Sequence, residues 1–144
     1  MEKIVIVGGN AAGLTAASRA RRIDPKLDIT ILEQLPQISY STCGLPYLLS
    51  KVVEADRLIS YSPEAFEKER GVKVQSQVRV HAIVPGRKRV EATRIETGEA
   101  VSFVFDRLLQ MSLFSFKACS SGISIQCSLP KRLAVFSPLF PAGV

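Results

Sequence analysis

Lys3-Ile4-Val5-Ile6-Val7-Gly8-Gly9-Asn10-Ala11-Ala12-Gly13 is the stretch whose reading decides the fold. Ile4 to Val7 is a short, β-branched apolar run of the kind that forms a fully buried strand. The glycine-rich turn from Gly8 through Gly9 to Gly13 follows at once, and Leu14 to Arg22 is helix-forming. A second strand, Asp28 to Leu32, runs into an acid, Glu33. Strand, glycine turn, helix, strand and acid within about thirty residues are the layout of a dinucleotide-binding βαβ unit. Gly8 lets the chain leave the strand sharply, where a side chain would clash or need positive φ. Gly13 lets the helix lie close to the sheet, and the N–H groups at the helix start would face a diphosphate. Glu33 stands where a carboxylate accepts from ribose hydroxyls, and it would repel a 2′-phosphate. Position 10 is Asn where the strict G-x-G-x-x-G motif has Gly. A βαβ unit without a nucleotide is the alternative; the terminal acid favours the dinucleotide.

At 144 residues the chain fits one ordinary domain with its own core. The net charge is +6, but the basic residues are scattered and form no basic-aromatic stripe, so nucleic-acid binding is not expected. No apolar run of about eighteen residues and no charged leader with an apolar core suggest a membrane span or export. The three cysteines, Cys43, Cys119 and Cys127, are an odd number without metal-ligand spacing, which suits free thiols in a reducing cytosol and no metal. All thirteen Asp and Glu fall at or before Asp106, and from Met111 onward the only charges are Lys117, Lys131 and Arg132. That shift marks a boundary.

Along the first helix, Ala12, Ala16 and Ala20 give a small-residue face suited to packing on a parallel sheet. Arg19, Arg21 and Arg22 close it, either as a complement to the helix dipole or as a cationic patch for a phosphate-bearing substrate. Ser39-Tyr40-Ser41-Thr42-Cys43-Gly44-Leu45-Pro46-Tyr47 puts a cysteine after a polar loop and before a short apolar segment, Leu45 to Leu49. A cysteine at a helix N-terminus is a nucleophile or redox centre; an ordinary buried cysteine is the alternative. Ser62-Pro63-Glu64 predicts a helix start, and Gly71 ends that helix after Arg70. Val72 to Val74 reads as a strand. Val78 to Val84, Arg89 to Ile95 and Ala100 to Phe105 read as a three-stranded antiparallel meander turning at Pro85-Gly86 and Thr97-Gly98. His81, the one histidine, is read as a strand residue, and Asp106 to Leu109 enters a further short strand.

These residues carry a resemblance. Lys3 to Leu109 resembles the amino-terminal FAD-binding portion of the pyridine nucleotide-disulfide oxidoreductases with one active cysteine, and within them the coenzyme A-disulfide reductase group. IVIVGGNAAG, the helix ending RARR, the strand ending in Glu33 and SYSTCGLPY carry it. The resemblance implies an α/β, Rossmann-like FAD-binding fold and an FAD-dependent, NAD(P)H-consuming disulfide oxidoreductase that is a homodimer at full length. It makes Cys43 the redox cysteine, cycling between thiol and a mixed disulfide with coenzyme A. By the same resemblance Gly8, Ala11, Ala12, Gly13, Glu33 and Val78 line the FAD adenosine and diphosphate. Thr15, Arg19, Arg22, Ser39 and Thr42 match positions that contact coenzyme A. Thr42 stands where those reductases often carry Asn. Ala11 stands where peroxide- and water-forming relatives carry a histidine, which argues against that chemistry because the general acid is missing. The SYxxCGLPY pattern is shared with polysulfide- and persulfide-reducing relatives.

After Leu109 the resemblance ends. Residues 1–110 are expected to be a truncated FAD-binding domain, and residues 111–144, with seven Ser and no acid, an aberrant tail such as a frameshift produces. On that expectation the nicotinamide-binding and dimerisation parts are missing, and the chain is a non-catalytic nucleotide-binding fragment.

Overall fold

The computed structural model describes residues 1–111. Lys3–Val7 (β1), Asp28–Leu32 (β2), Lys73–Gln75 (β5) and Arg107–Gln110 (β9) form one parallel sheet in the order β5-β2-β1-β9. β1 lies in the middle, with Ile6 opposite both Ile31 of β2 and Leu109 of β9. Every residue of β1 from Ile4 to Val7 is buried, as the unbroken apolar run requires of a strand covered on both faces. Alternation divides it. Ile4 and Ile6 point with Ile29 and Ile31 into a core closed by helix α1 (Ala11–Ile23) and helix α3 (Pro63–Arg70). Val5 and Val7 point the other way, onto Val90 and Phe105 of the meander side.

The meander is β6 (Val78–Val84), β7 (Arg89–Arg94) and β8 (Ala100–Val104), antiparallel throughout. Its first turn is a single 3-10 turn over Pro85–Arg87, and Gly98 turns the second hairpin at φ 71°. His81 lies exposed on β6, where the register with β7 shifts between Val80 and Ala82. α3 begins and ends on the expected residues: the Ala65 N–H donates to Ser62 Oγ at 3.2 Å, and Gly71 closes the helix at φ 65°.

Two points differ from the sequence reading. A two-stranded antiparallel ribbon, β3 (Ile38–Tyr40) with β4 (Ile59–Tyr61), was not expected. The sheet-facing stripe of α1 is Gly13, Leu14 and Ala17; Ala16 and Ala20 flank it, while Ala12 is exposed. The helix starts at Ala11, three residues before the expected start, and at 3.6 residues per turn its buried side is centred about 100° round from the line of Ala12, Ala16 and Ala20. The expectation for residues 111–144 falls, beyond Met111, outside the described residues.

Candidate functional site

Gly8 leaves β1 at φ 111°, and its N–H donates to the Leu32 carbonyl at 2.9 Å, so the turn begins hooked onto the end of β2. Gly13 then lies directly over it: a Cβ there would stand 2.0 Å from the Gly8 carbonyl oxygen. Only a glycine lets helix and turn approach so closely. Ala11 and Ala12 occupy the first turn of α1 and are exposed. The first N–H groups of a helix have no partner within it, and the Asn10 side chain does not cap them. The helix start therefore presents donors to an anion, supported by the dipole.

Glu33 follows β2 at the same end of the sheet. Its Oε2 accepts the Gly9 N–H at 2.6 Å and its Oε1 accepts the Leu35 N–H at 2.9 Å. Each carboxylate oxygen keeps a lone-pair direction for a hydroxyl donor. The backbone of Val78 joins this corner, its N–H donating to the Glu33 carbonyl at 2.9 Å, and its side chain is buried. Gly8, Gly9, Gly13, Glu33 and Val78 are thus gathered at the carboxyl ends of β1, β2 and β5, where parallel sheets place nucleotide sites. A polar groove of about 250 Å3, lined by Gln75, Ser76, Gln77, Arg94, Glu96 and Thr97, opens at the carboxyl end of β5. Sequence reasoning missed it, because a strand end and a distant hairpin build it together.

Cys43 sits in a 3-10 turn, Thr42–Gly44, that leads straight into the short helix α2 (Leu45–Leu49). It is exposed, which removes the buried-cysteine alternative. Gly44 has ordinary helical backbone, and its lack of a side chain makes room for Leu58, whose Cδ2 would stand 2.5 Å from a Cβ there. The strand leading into this turn, β3, packs beside α1, and the Ser39 N–H donates to the Gly9 carbonyl at 3.0 Å. Ser39 is partly buried and Thr42 exposed.

Thr15, Arg19 and Arg22 are exposed at helical spacing along one side of α1. Among the described residues, none of the three makes a side-chain hydrogen bond to Ser39 or Thr42. Arg21 is different, and corrects the view of it as surface charge. Its Nη1 donates to the Pro25 carbonyl at 2.6 Å and its Nη2 to the Gly71 carbonyl at 2.7 Å. That guanidinium fastens the end of α1 to the end of α3 and is not free for a ligand.

A glycine turn at the head of a parallel sheet, an acid at the end of the next strand and an exposed cysteine on the adjoining segment define a dinucleotide-dependent redox domain. The chain belongs to the pyridine nucleotide-disulphide oxidoreductases, whose family model matches residues 2–110. Proteins of this family use FAD and NAD(P)H. The chain is 36% identical over 108 residues to the NAD(P)H coenzyme A polysulfide/persulfide reductase of Pyrococcus horikoshii, covering 75% of this chain and 23% of that protein. It is 37% identical over 110 residues to the coenzyme A disulfide reductase of Staphylococcus aureus, covering 76% and 25%. Among solved structures it resembles reduced Bacillus anthracis CoADR-RHD, with TM-score 0.73 and 30% identity over 75% of this chain and 20% of that one. The water-forming NADH oxidase of Lactobacillus brevis, solved with NADH, follows at TM-score 0.70 and 28% identity, over 76% and 24%. The chain therefore spans about a quarter of the length of the curated relatives it matches.

Proposed function

We propose that residues 1–110 form the first FAD-binding portion of an NAD(P)H-dependent disulfide oxidoreductase acting on coenzyme A disulfide or a related polysulfide, with Cys43 as its single redox cysteine. The observation that carries this reading is an exposed thiol on a segment hydrogen-bonded to the dinucleotide turn. Gly8, Gly9, Ala11, Ala12 and Gly13 would hold the diphosphate, Glu33 the adenosine ribose, and Val78 would line the adenosine. The residues fit the group: the helix start is uncapped, the Gly13–Gly8 contact leaves no room for a side chain, and the carboxylate retains acceptor capacity. When bound, FAD would supply the electron pair that reduces the mixed disulfide, and the nicotinamide site would lie in the part of the relatives' length that this chain does not span.

The chain's own step is a thiol–disulfide exchange. The Cys43 thiolate attacks one sulfur of the substrate disulfide, the S–S bond breaks, and the other half leaves as a thiolate. No net oxidation occurs in that step. Arg19 and Arg22 would attract the ligand's phosphates, while Thr15, Ser39 and Thr42 offer hydroxyls to its polar groups. Ala11, at the position that by resemblance holds a histidine in peroxide- and water-forming relatives, offers no proton donor, which favours disulfide over peroxide or oxygen chemistry. Partners beyond the small disulfide would be a second copy of the full-length protein, in a reducing cytoplasm; residues 1–110 alone would give no NAD(P)H turnover.

The test is reaction of the full chain, carrying Cys119→Ser and Cys127→Ser, with coenzyme A disulfide, followed by intact mass and peptide mapping. A coenzyme A adduct on Cys43 is expected. Arg19→Glu with Arg22→Glu should slow its formation roughly tenfold at low salt, and leave the reaction with neutral hydroxyethyl disulfide unchanged. No adduct, or equal slowing with both disulfides, would contradict the assignment.

A further inference from the structure

Asn10 stands at the fingerprint position where glycine is expected, and its side chain makes a contact that nucleotide binding does not call for. It occupies the N-cap of α1 with extended backbone, φ −93° and ψ −173°, yet gives no side-chain hydrogen bond to the helix. Its Oδ1 instead accepts the Tyr40 N–H at 3.1 Å. The same two segments meet one residue earlier, where the Ser39 N–H donates to the Gly9 carbonyl at 3.0 Å. They meet again at Ile38, whose Cγ2 would stand 3.0 Å from a Cβ placed on Gly9. Within this clamp Ser39 is held at φ 57°, a left-handed conformation that a residue with a side chain keeps where its surroundings fix it. Three residues beyond Tyr40 comes Cys43, in a turn whose N-cap Ser41 makes no side-chain hydrogen bond of its own.

We infer that Asn10 is a positioning residue, whose carboxamide oxygen fixes the segment bearing Cys43 against the dinucleotide turn. The inference deepens the reading above and rests on it for the redox role of Cys43. Asn suits both duties of the position. Its oxygen reaches Tyr40, its neutrality spares the diphosphate a like charge, and by turning away from α1 it leaves the helix-start donors open. Glycine would keep the turn and lose the link. Aspartate would keep the acceptor and add a charge that opposes an anion at the helix start.

The full chain with Cys119→Ser and Cys127→Ser, leaving Cys43 as the sole thiol, provides the test. Amide hydrogen exchange at Tyr40 is followed by NMR, and alkylation of Cys43 by iodoacetamide is timed in the same samples without nucleotide. Asn10→Gly should accelerate Tyr40 exchange about fivefold or more, the factor expected for one lost hydrogen bond. The alkylation rate of Cys43 should change with it by roughly threefold or more, and Asn10→Asp should return both to near the parent values, because the acceptor is restored. Unchanged Tyr40 exchange in Asn10→Gly overturns the link. Faster exchange with an unaltered alkylation rate, or no rescue by Asn10→Asp, overturns the positioning role. Equilibrium dialysis of FAD on the same variants separates the two readings: absence of FAD binding counts against the proposed function, while this inference stands or falls on exchange and alkylation.

Discussion

A Cβ at Gly13 would meet the Gly8 carbonyl oxygen at 2.0 Å, whereas one at Gly9 would meet only side-chain atoms of Ile38 and Glu33 at 3.0 Å and beyond. A backbone oxygen held in the turn cannot step aside as a side chain can. Gly13→Ala is therefore expected to destabilise the chain by ~3 kcal/mol and Gly9→Ala by ~1 kcal/mol, read from urea unfolding midpoints. Equal stability of the two variants would sink the close approach of turn and helix. The sharp turn at Gly8, the close approach at Gly13 and the strand-end position of Glu33 were legible in the sequence, because backbone geometry and a carboxylate closing an apolar run leave local signatures. The partner of Asn10 was not. Tyr40 lies thirty residues away, and nothing local says that an N-cap side chain will turn from its helix.

Arg21 shows the same limit between elements. Sequence spacing groups it with Arg19 and Arg22, but its donors go to the carbonyls of Pro25 and Gly71, binding the end of α1 to that of α3. Hydrogen bonds from a charged donor carry about 1.5–3 kcal/mol each when sheltered, and this side chain is only partly buried. Arg21→Ala should therefore lower stability by ~1–2 kcal/mol, while exposed Arg22→Ala stays within about 0.5 kcal/mol. Thermal unfolding of the pair decides it, and matching midpoints would refute the clasp. α3 was legible because Ser62, Pro63 and Gly71 each act within one turn of a helix end. The β3–β4 ribbon escaped because three-residue strands are too short for a period. One signal was available: Ile38-Ser39-Tyr40 and Ile59-Ser60-Tyr61 are the same tripeptide, and they pair antiparallel, Ile38 opposite Tyr61 and Tyr40 opposite Ile59. The face of α1 was misread for a different reason. Small residues occur on two sides of this helix, and their spacing alone does not say that Gly13, Leu14 and Ala17, rather than Ala12, Ala16 and Ala20, face the sheet.

For the whole described unit, β1 organises everything else. Its two faces feed two cores, one under the helices and one under the meander, and its carboxyl end carries the glycine turn between Glu33 and the cysteine segment. The sequence pattern revealed the parallel unit through its unbroken apolar strand and glycine turn, and the meander through the turns at Pro85-Gly86 and Thr97-Gly98. How they enclose β1 depends on contacts between residues as distant as Val5 and Phe105. The central claim is that this carboxyl end binds FAD, and equilibrium dialysis of FAD against the full chain tests it most directly. One saturable site is expected, competed by ADP and weakened roughly tenfold or more by Glu33→Ala, which removes both the ribose acceptor and the brace on Gly9. No saturable binding, or binding indifferent to ADP and to Glu33→Ala, would contradict the account.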